Sequence, residues 1–347
     1  MRKLFICERP YMLYKTIIKA VLNKNDVIDV VLSNHMNGME KMKEPLEASK
    51  LFNRVYFFDD KLYQEYVNDE HLSDYVKFPK IIVSWPRKLK RYYEFHKKAS
   101  KAEFPEGLDI NNYDEIYVID GVSTINLKLN FEKRNYIVSE HARNNFQIKI
   151  PLHILAVNIS KVLDKLNIFV AYSGCSKYVS MIEVTENKNL VSYLKNKKIV
   201  EYNLDSQIKM LTAEEKNKIF SIYASAYKVP IYSENMINIL LTAPLLEDGL
   251  VENYEQMKQC WEKLISKYAD EGSFIMIKAH PRDKTDYKKI FPNSIIIDSL
   301  ITAEVLALSS TLNITKVINL YSSAVAAFEG KCECITLGMD YLKEINK

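Results

Sequence analysis

An α/β protein made of two Rossmann-like halves facing each other across a cleft is what this sequence predicts, on three observations. Short apolar runs suited to buried strands alternate with amphipathic segments of helix length through both halves of the chain, the pattern that yields parallel sheets. At 347 residues the chain exceeds what one hydrophobic core usually serves. Polar, chemistry-bearing residues recur directly after the apolar runs, where an open parallel sheet displays its ligand-binding edge. The expected division is 1–228 and 229–347, with the boundary near Val229-Pro230.

In the first half, Leu4 to Cys7 reads as a strand, the periodic Tyr11, Tyr14, Ile17, Ile18, Val21 and Leu22 as a helix, and Val27 to Leu32 as a second strand. Arg54 to Phe58, Ile81 to Ser84, Glu115 to Ile119 and Tyr136 to Ser139 repeat the strand signal. Pro151 to Val170 has apolar residues near helical spacing, interrupted by Lys161, Asp164 and Lys165, which suits a packed helix better than a membrane segment. Ile168 to Tyr172 and Tyr178 to Val184 are further strand candidates, Glu186 to Lys198 reads as lysine-rich surface, and Asn203 to Lys228 as mostly helix. In the second half the expected strands are Ile237 to Leu241, Phe274 to Ile277, Ser294 to Ile297 and Val317 to Leu320. Expected helices are Asn253 to Tyr268, Ala303 to Leu308 and one that starts at Ala324 to Phe328.

Composition excludes several classes of protein. A hydrophobic fraction of 48% against 27% charged, with 8 glycines and 10 prolines, is that of an ordered globular chain. The formal charge of +4, from 48 basic and 44 acidic residues, is too balanced to call for nucleic acid. Five scattered cysteines without metal-type spacing fit a reducing cytoplasm. The basic start Met1-Arg2-Lys3 leads into an apolar run broken at once by Glu8 and Arg9, so no signal peptide is expected, and no stretch approaches a spanning helix. Trp85 to Lys101 carries seven lysines and arginines interleaved with Tyr92, Tyr93 and Phe95. It reads either as a solvated helix face, or as a segment that rests on an anionic membrane surface at the inner face of the cell membrane or reaches an anionic acceptor.

Five places carry candidate chemistry. Asp120-Gly121 follows one strand and reads as a binding edge or as a plain turn; Glu140, His141 and Arg143 follow the next. Glu247-Asp248-Gly249 lies on the loop after a strand, where a carboxylate can take a proton from a hydroxyl, or where it can simply mark a helix entry. The run Phe274 to Ile277 gives way to Lys278-Ala279-His280-Pro281-Arg282, placing an imidazole and two cations at a strand end. Proline holds His280 extended, and histidine is suited to hydrogen-bond or protonate a phosphate near neutral pH. Tyr321-Ser322-Ser323-Ala324 joins a strand to a helix, so its hydroxyls either cradle a phosphate or cap the helix. The first half has no GxGxxG, which disfavours a dinucleotide enzyme.

In the order His280-Pro281, then Glu304 within Thr302-Ala303-Glu304-Val305-Leu306, then Ser322-Ser323, the chain resembles the bacterial sialyltransferases of GT-B type, most closely glycosyltransferase family 52 and its capsule and lipooligosaccharide members. The likeness is close over about the last third and loose over the amino-terminal half. It implies a GT-B fold with an acceptor-side first domain and a donor-side second domain. It also implies an inverting, metal-independent transfer of sialic acid from CMP-sialic acid to a hydroxyl of a surface glycan. By resemblance His280 is the general acid or hydrogen-bond donor to the CMP phosphate, and Asp248 the general base. Lys278, Pro281, Arg282, Glu304, Ser322 and Ser323 bind the donor, with no metal and no cofactor beyond the donor itself. Related families keep an acidic-acidic-glycine base motif in the first domain; here those places read Ile119-Asp120-Gly121 and Ser139-Glu140-His141-Ala142, so Asp120 and Glu140 stand as alternative bases. A GT-B transferase using another activated sugar or a polyol phosphate, and a non-catalytic glycan-assembly module, are the competing readings. The expected location is the cytoplasm, and an oligomer is compatible with the sequence.

Overall fold

The computed structural model describes residues 1–347 apart from 64–92, 120–122, 141–144, 148–150, 167–169, 172–173, 231–234, 281 and 346–347. Contacts within the chain divide it into two compact units, Met1–Met210 and Leu211–Lys347.

Unit 1 is built on a seven-stranded sheet: β1 (Arg2–Cys7), β2 (Val27–Ser33), β3 (Arg54–Phe58), β4 (Glu115–Ile119), β5 (Tyr136–Ser139), β6 (Val179–Val184) and β7 (Ile199–Glu201). Their order is β3-β2-β1-β4-β5-β6-β7 and every pairing is parallel. This is the Rossmann order, in which the chain reverses direction between β1 and β4 and leaves a crevice at the carboxyl ends there. The helices of unit 1 are α1 (Pro10–Leu22), α2 (Lys43–Ser49), α3 (helical residues 93–100), α4 (Thr124–Phe131), α5 (Pro151–Lys165) and α6 (Leu204–Met210). Leu4, Ile6, Val31, Ile116, Val118, Val138 and Ile182 anchor the core.

Helix α1 departs from simple amphipathy because it buries two lysines. Lys15 Nζ donates to Ser139 Oγ at 2.8 Å and pairs with Glu183 Oε1 at 2.6 Å, while Lys19 pairs with the other Glu183 oxygen. Burial alone would raise the Glu183 pKa, but Lys19 and then Lys15 overcome it and bring the carboxyl down to about 2. The ammonium of Lys19 also lies 4.3 Å from the ring centroid of Tyr202 and 4.5 Å from that of Tyr117, faces that attract a cation.

Unit 2 repeats the plan with five parallel strands: β8 (Ile237–Leu241), β9 (Phe274–Lys278), β10 (Ile295–Ile297), β11 (Ile314–Asn319) and β12 (Glu333–Thr336), in the order β10-β9-β8-β11-β12. Its reversal point lies between β8 and β11. Its helices are α7 (Ala213–Tyr227), α8 (Tyr254–Tyr268), α9 (Tyr287–Ile290), α10 (Ala303–Leu306) and α11 (Asp340–Ile345). Trp261, Leu264, Met257 and Tyr287 fill its core. Helix α7 starts on a Thr212–Glu215 capping box, in which each side chain bonds the other's backbone N–H. It belongs with unit 2 by its contacts, among them the Ser310 N–H to Asn217 Oδ1 bond of 2.9 Å. The expected boundary at 228/229 and the observed division thus differ by this helix.

Other differences have local causes. Glu186 to Lys198 is not all surface: Val191, Tyr193 and Leu194 are buried against the unit 1 core, around the 3-10 turn Ser192–Leu194. Within Ile168 to Tyr172, Val170 and Ala171 belong to no regular element, and the other three residues lie outside the described residues. The expected strand Ile81 to Ser84 also lies outside them, as does the basic segment up to Tyr92. From residue 93 on, Phe95 and Ala99 are buried against Leu127 of α4 while Lys97 and Lys101 are exposed, so in the described part the apolar face turns inward and the charges outward. Among the described residues no helix is long and apolar enough to cross a membrane.

Candidate functional site

The carboxyl edge of the unit 2 sheet is where the candidate residues meet. Strand β8 runs into Thr242, whose N–H still pairs with Lys278 O of β9 at 3.1 Å, so the two strands deliver their loops side by side. After β8 the chain turns back on itself: Asp248 N–H donates to Pro244 O and Gly249 N–H to Leu246 O. Gly249 sits at φ +66°, a left-handed conformation that a side chain resists, which explains the glycine after the acidic pair.

The loop after β9 is locked to this turn. Lys284 N–H donates to Glu247 Oε1 at 2.9 Å. Arg282 forks onto Asp248, Nη1 to Oδ1 at 2.7 Å and Nη2 to Oδ2 at 3.1 Å. The adjacent carboxylates therefore have separate tasks, one holding backbone and one holding a guanidinium. His280 N–H donates to Thr242 Oγ1 at 3.1 Å, and the Thr242 hydroxyl donates to Asp283 Oδ2 at 2.7 Å. The same Asp283 oxygen accepts the Tyr287 hydroxyl at 2.6 Å, and Thr285 N–H reaches Asp283 Oδ1 at 3.0 Å. His280 Nδ1 accepts the Arg282 backbone N–H at 3.1 Å.

The half-buried imidazole has a lowered pKa: burial is the main cause, and the cations Arg282 and Lys278 add to it against the opposing pull of Asp248 and Asp283. Tyr321, just past β11, feels both members of the Asp248–Arg282 pair. Burial and then the Asp248 charge raise its pKa while Arg282 lowers it. The carboxyl ends of β8 and β9 thus bring together Asp248, His280 and Arg282, with Tyr321 following β11 at the same edge of the sheet, the side where open α/β folds bind ligands.

Other expected residues fall around this group. Lys278 is buried and donates to Ala279 O at 2.8 Å and Ser299 O at 3.4 Å, so its ammonium serves the backbone between β9 and β10 rather than standing open to a ligand. Burial pushes its pKa down to about 8, with Asp298 and Glu304 pulling it back up. Glu304 stands in the first turn of α10. Ser322 caps the 3-10 helix Ser323–Phe328, its Oγ accepting Ala324 N–H at 3.3 Å, and its own N–H is taken by Asn319 Oδ1 at 2.8 Å. Ser322 Oγ thus caps the helix as an acceptor, which leaves its O–H available to donate, and Ser323 is exposed next to it. Pro281 lies outside the described residues.

In unit 1, Glu140 is buried and spends its carboxylate on backbone, accepting Thr185 N–H at 2.6 Å and Phe146 N–H at 3.4 Å. Both carboxylate oxygens are thereby engaged. Asp120, His141 and Arg143 lie outside the described residues. A carboxyl that sequence reasoning passed over is Glu8, at the end of β1. It is buried, one of its oxygens has no hydrogen-bond partner among the described residues, and burial followed by the Asp60 charge pushes its pKa up to about 7. His35, at the end of β2, pairs with Asp60 at 3.1 Å, and that bond raises its pKa. The positions of Thr242, Asp283 and Tyr321 were visible beside the apolar runs; their roles were not, because each depends on a partner on another strand.

The model of the family described as Glycosyltransferase family 52 matches residues 108–334, about two thirds of the chain. An uncharacterized protein of Haemophilus influenzae is 33% identical over 156 residues, 45% of this chain and 49% of that protein, so the chain spans about half the length of the curated relative it matches. Among solved structures, an α/β-galactoside α-2,3-sialyltransferase from Photobacterium phosphoreum is 12% identical at a TM-score of 0.45, over 96% of this chain and 89% of that one. A UDP-GlcNAc 2-epimerase from Methanocaldococcus jannaschii is 15% identical at a TM-score of 0.45, over 100% and 92%.

Proposed function

Since this chain belongs to glycosyltransferase family 52, we propose that it is a sialyltransferase, moving sialic acid from CMP-sialic acid to a hydroxyl of a surface glycan of the capsule or lipooligosaccharide kind, with inversion and without a metal. The observation that carries this reading is the fork of Arg282 on Asp248 beside His280, at the carboxyl edge of the unit 2 sheet. It joins an anion-binding cation, a carboxylate and an imidazole, the three groups that such a displacement needs.

In the proposed reaction the anionic donor competes with Asp248 for Arg282, since guanidinium binds phosphate and carboxylate alike through its paired N–H groups. The released Asp248 then accepts the proton of the acceptor hydroxyl as its oxygen bonds to the anomeric carbon. The bond from that carbon to the phosphate oxygen breaks with its electron pair going to CMP, and Arg282 and His280 stabilise the charge that develops there. Ser322 and Ser323 add hydroxyls on the phosphate side, and Glu304 receives the ribose.

Release of CMP from CMP-sialic acid tests the reading. Asp248→Asn and His280→Ala are each expected to lower it about 100-fold or more, with the fold retained by circular dichroism. A thermal-shift panel in which UDP-sugars stabilise the protein and CMP does not would move the donor to another nucleotide sugar. Tight glycan binding with no turnover would make the chain an assembly module.

A further inference from the structure

We propose, resting on the reading of this edge as a CMP-sugar site, that His280 serves the departing phosphate as a neutral hydrogen-bond donor through Nε2–H and keeps its proton throughout, with Thr242 and Asp283 as the positioning residues that hold it in that state. The tautomer follows from one contact. A backbone N–H can only donate, and the Arg282 amide points at His280 Nδ1 from 3.1 Å, so Nδ1 carries the lone pair and the single proton of the neutral ring is on Nε2. A second proton on Nδ1 would oppose two N–H groups across that distance and lose the bond.

The amide cannot easily turn away. Asp283 N–H donates to His280 O at 2.9 Å and closes the turn. Thr242 ties the His280 N–H to Asp283 Oδ2, which also accepts the Tyr287 hydroxyl, while Thr285 N–H holds Asp283 Oδ1. The charges around the ring do not call for an imidazolium. In the free protein Arg282 and Lys278 repel a second proton, Asp248 is engaged by the Arg282 fork and Asp283 by three donors; once the donor releases Asp248, that carboxylate takes the proton of the acceptor hydroxyl and Asp283 stays engaged. Nor does the chemistry need an acid here. A phosphate monoester leaving group has its second pKa near about 6 and departs as an anion at neutral pH. What it requires is a donor aimed at the oxygen where charge accumulates. The acceptor's proton goes to Asp248, the electron pair of the broken bond to CMP, and the proton of His280 stays on Nε2.

Nitrogen-15 NMR of the full-length protein with labelled histidine tests this, with the His280 signals assigned by their absence in His280→Gln. Near neutral pH they should report one protonated nitrogen and one bare, hydrogen-bonded nitrogen, both in the free protein and with CMP bound. An imidazolium pattern in the CMP complex would overturn the proposal. His280→Gln keeps an amide donor near Nε2 but has no acid proton to give. Its CMP release should stay within about tenfold of the wild type, while His280→Ala loses about 100- to 1000-fold; equal loss in both would count against a donor role. Thr242→Val should shift the His280 signals towards exchange between tautomers, and a merely structural threonine would leave them in place. If CMP moves no His280 signal, the CMP reading fails and the phosphate role with it, while the signals of the free protein still test separately whether the proton sits on Nε2.

Discussion

Glu8 shows how far a single residue's behaviour can lie from anything printed in its neighbourhood. Cys7-Glu8-Arg9-Pro10 reads as a strand end followed by a helix start, and nothing in it announces a carboxyl pushed up to about 7 by burial and by Asp60. Burial is the larger cause, and the Asp60 charge that adds to it comes from just beyond β3, as the partner of Asp248 arrives from 34 positions away. Single-sequence reading can place such residues at a strand's carboxyl end and no more. The direction of the Glu8 shift fixes a pH dependence. The folded chain holds the Glu8 proton more tightly than the unfolded chain, whose ordinary value is 4.5. Its contribution to stability is therefore present below about 4.5 and is lost as pH rises towards about 7. Urea midpoints of the wild type minus those of Glu8→Gln should fall across that window. A difference that is flat or rises with pH would mean that Glu8 ionises like an exposed carboxyl.

At the level of elements, legibility follows burial. Arg54–Phe58, Glu115–Ile119, Tyr136–Ser139 and Ile237–Leu241 have the bounds that the sequence predicts; the last three are buried along nearly their whole length and print a continuous apolar run, while the part-buried edge strand Arg54–Phe58 is read from its β-branched and aromatic residues. The edge strands Ile199–Glu201 and Glu333–Thr336 went unread, being short and half exposed, so their composition carries little strand signal. The turn that presents Asp248 was legible through its glycine. A methyl group at Gly249 would meet nothing within 4 Å, so Gly249→Ala acts through the left-handed backbone alone, at a cost of about 1–2 kcal/mol. The expected result is a folded protein whose Asp248 no longer meets Arg282 squarely, with CMP release reduced. Gly249→Asn should be milder, since asparagine tolerates that conformation better. Alanine and wild type turning over donor at equal rates would show that this turn does not govern the carboxylate.

On the scale of the whole molecule, two sheets share one strand order, and each has its own core. The fold class was legible because the alternation of strands and helices persists through both halves. The division was less so, because α7 reads equally well as the end of one unit or the start of the next until its Asn217–Ser310 contact is seen. The Lys15–Glu183–Lys19 triad has a consequence for how the larger sheet is assembled. Sliding β6 by one residue would turn Glu183 to the opposite face and strand two ammonium groups in an apolar interior. The triad thus ties β6 to α1 in one register within a sheet of seven parallel strands. Replacing all three residues with Met, Leu and Met should leave global stability unchanged or raise it by about 1–4 kcal/mol, while amide spectra broaden or double as misaligned forms become populated. A single sharp set of amide signals from that triple variant would show that side-chain packing alone selects the alignment.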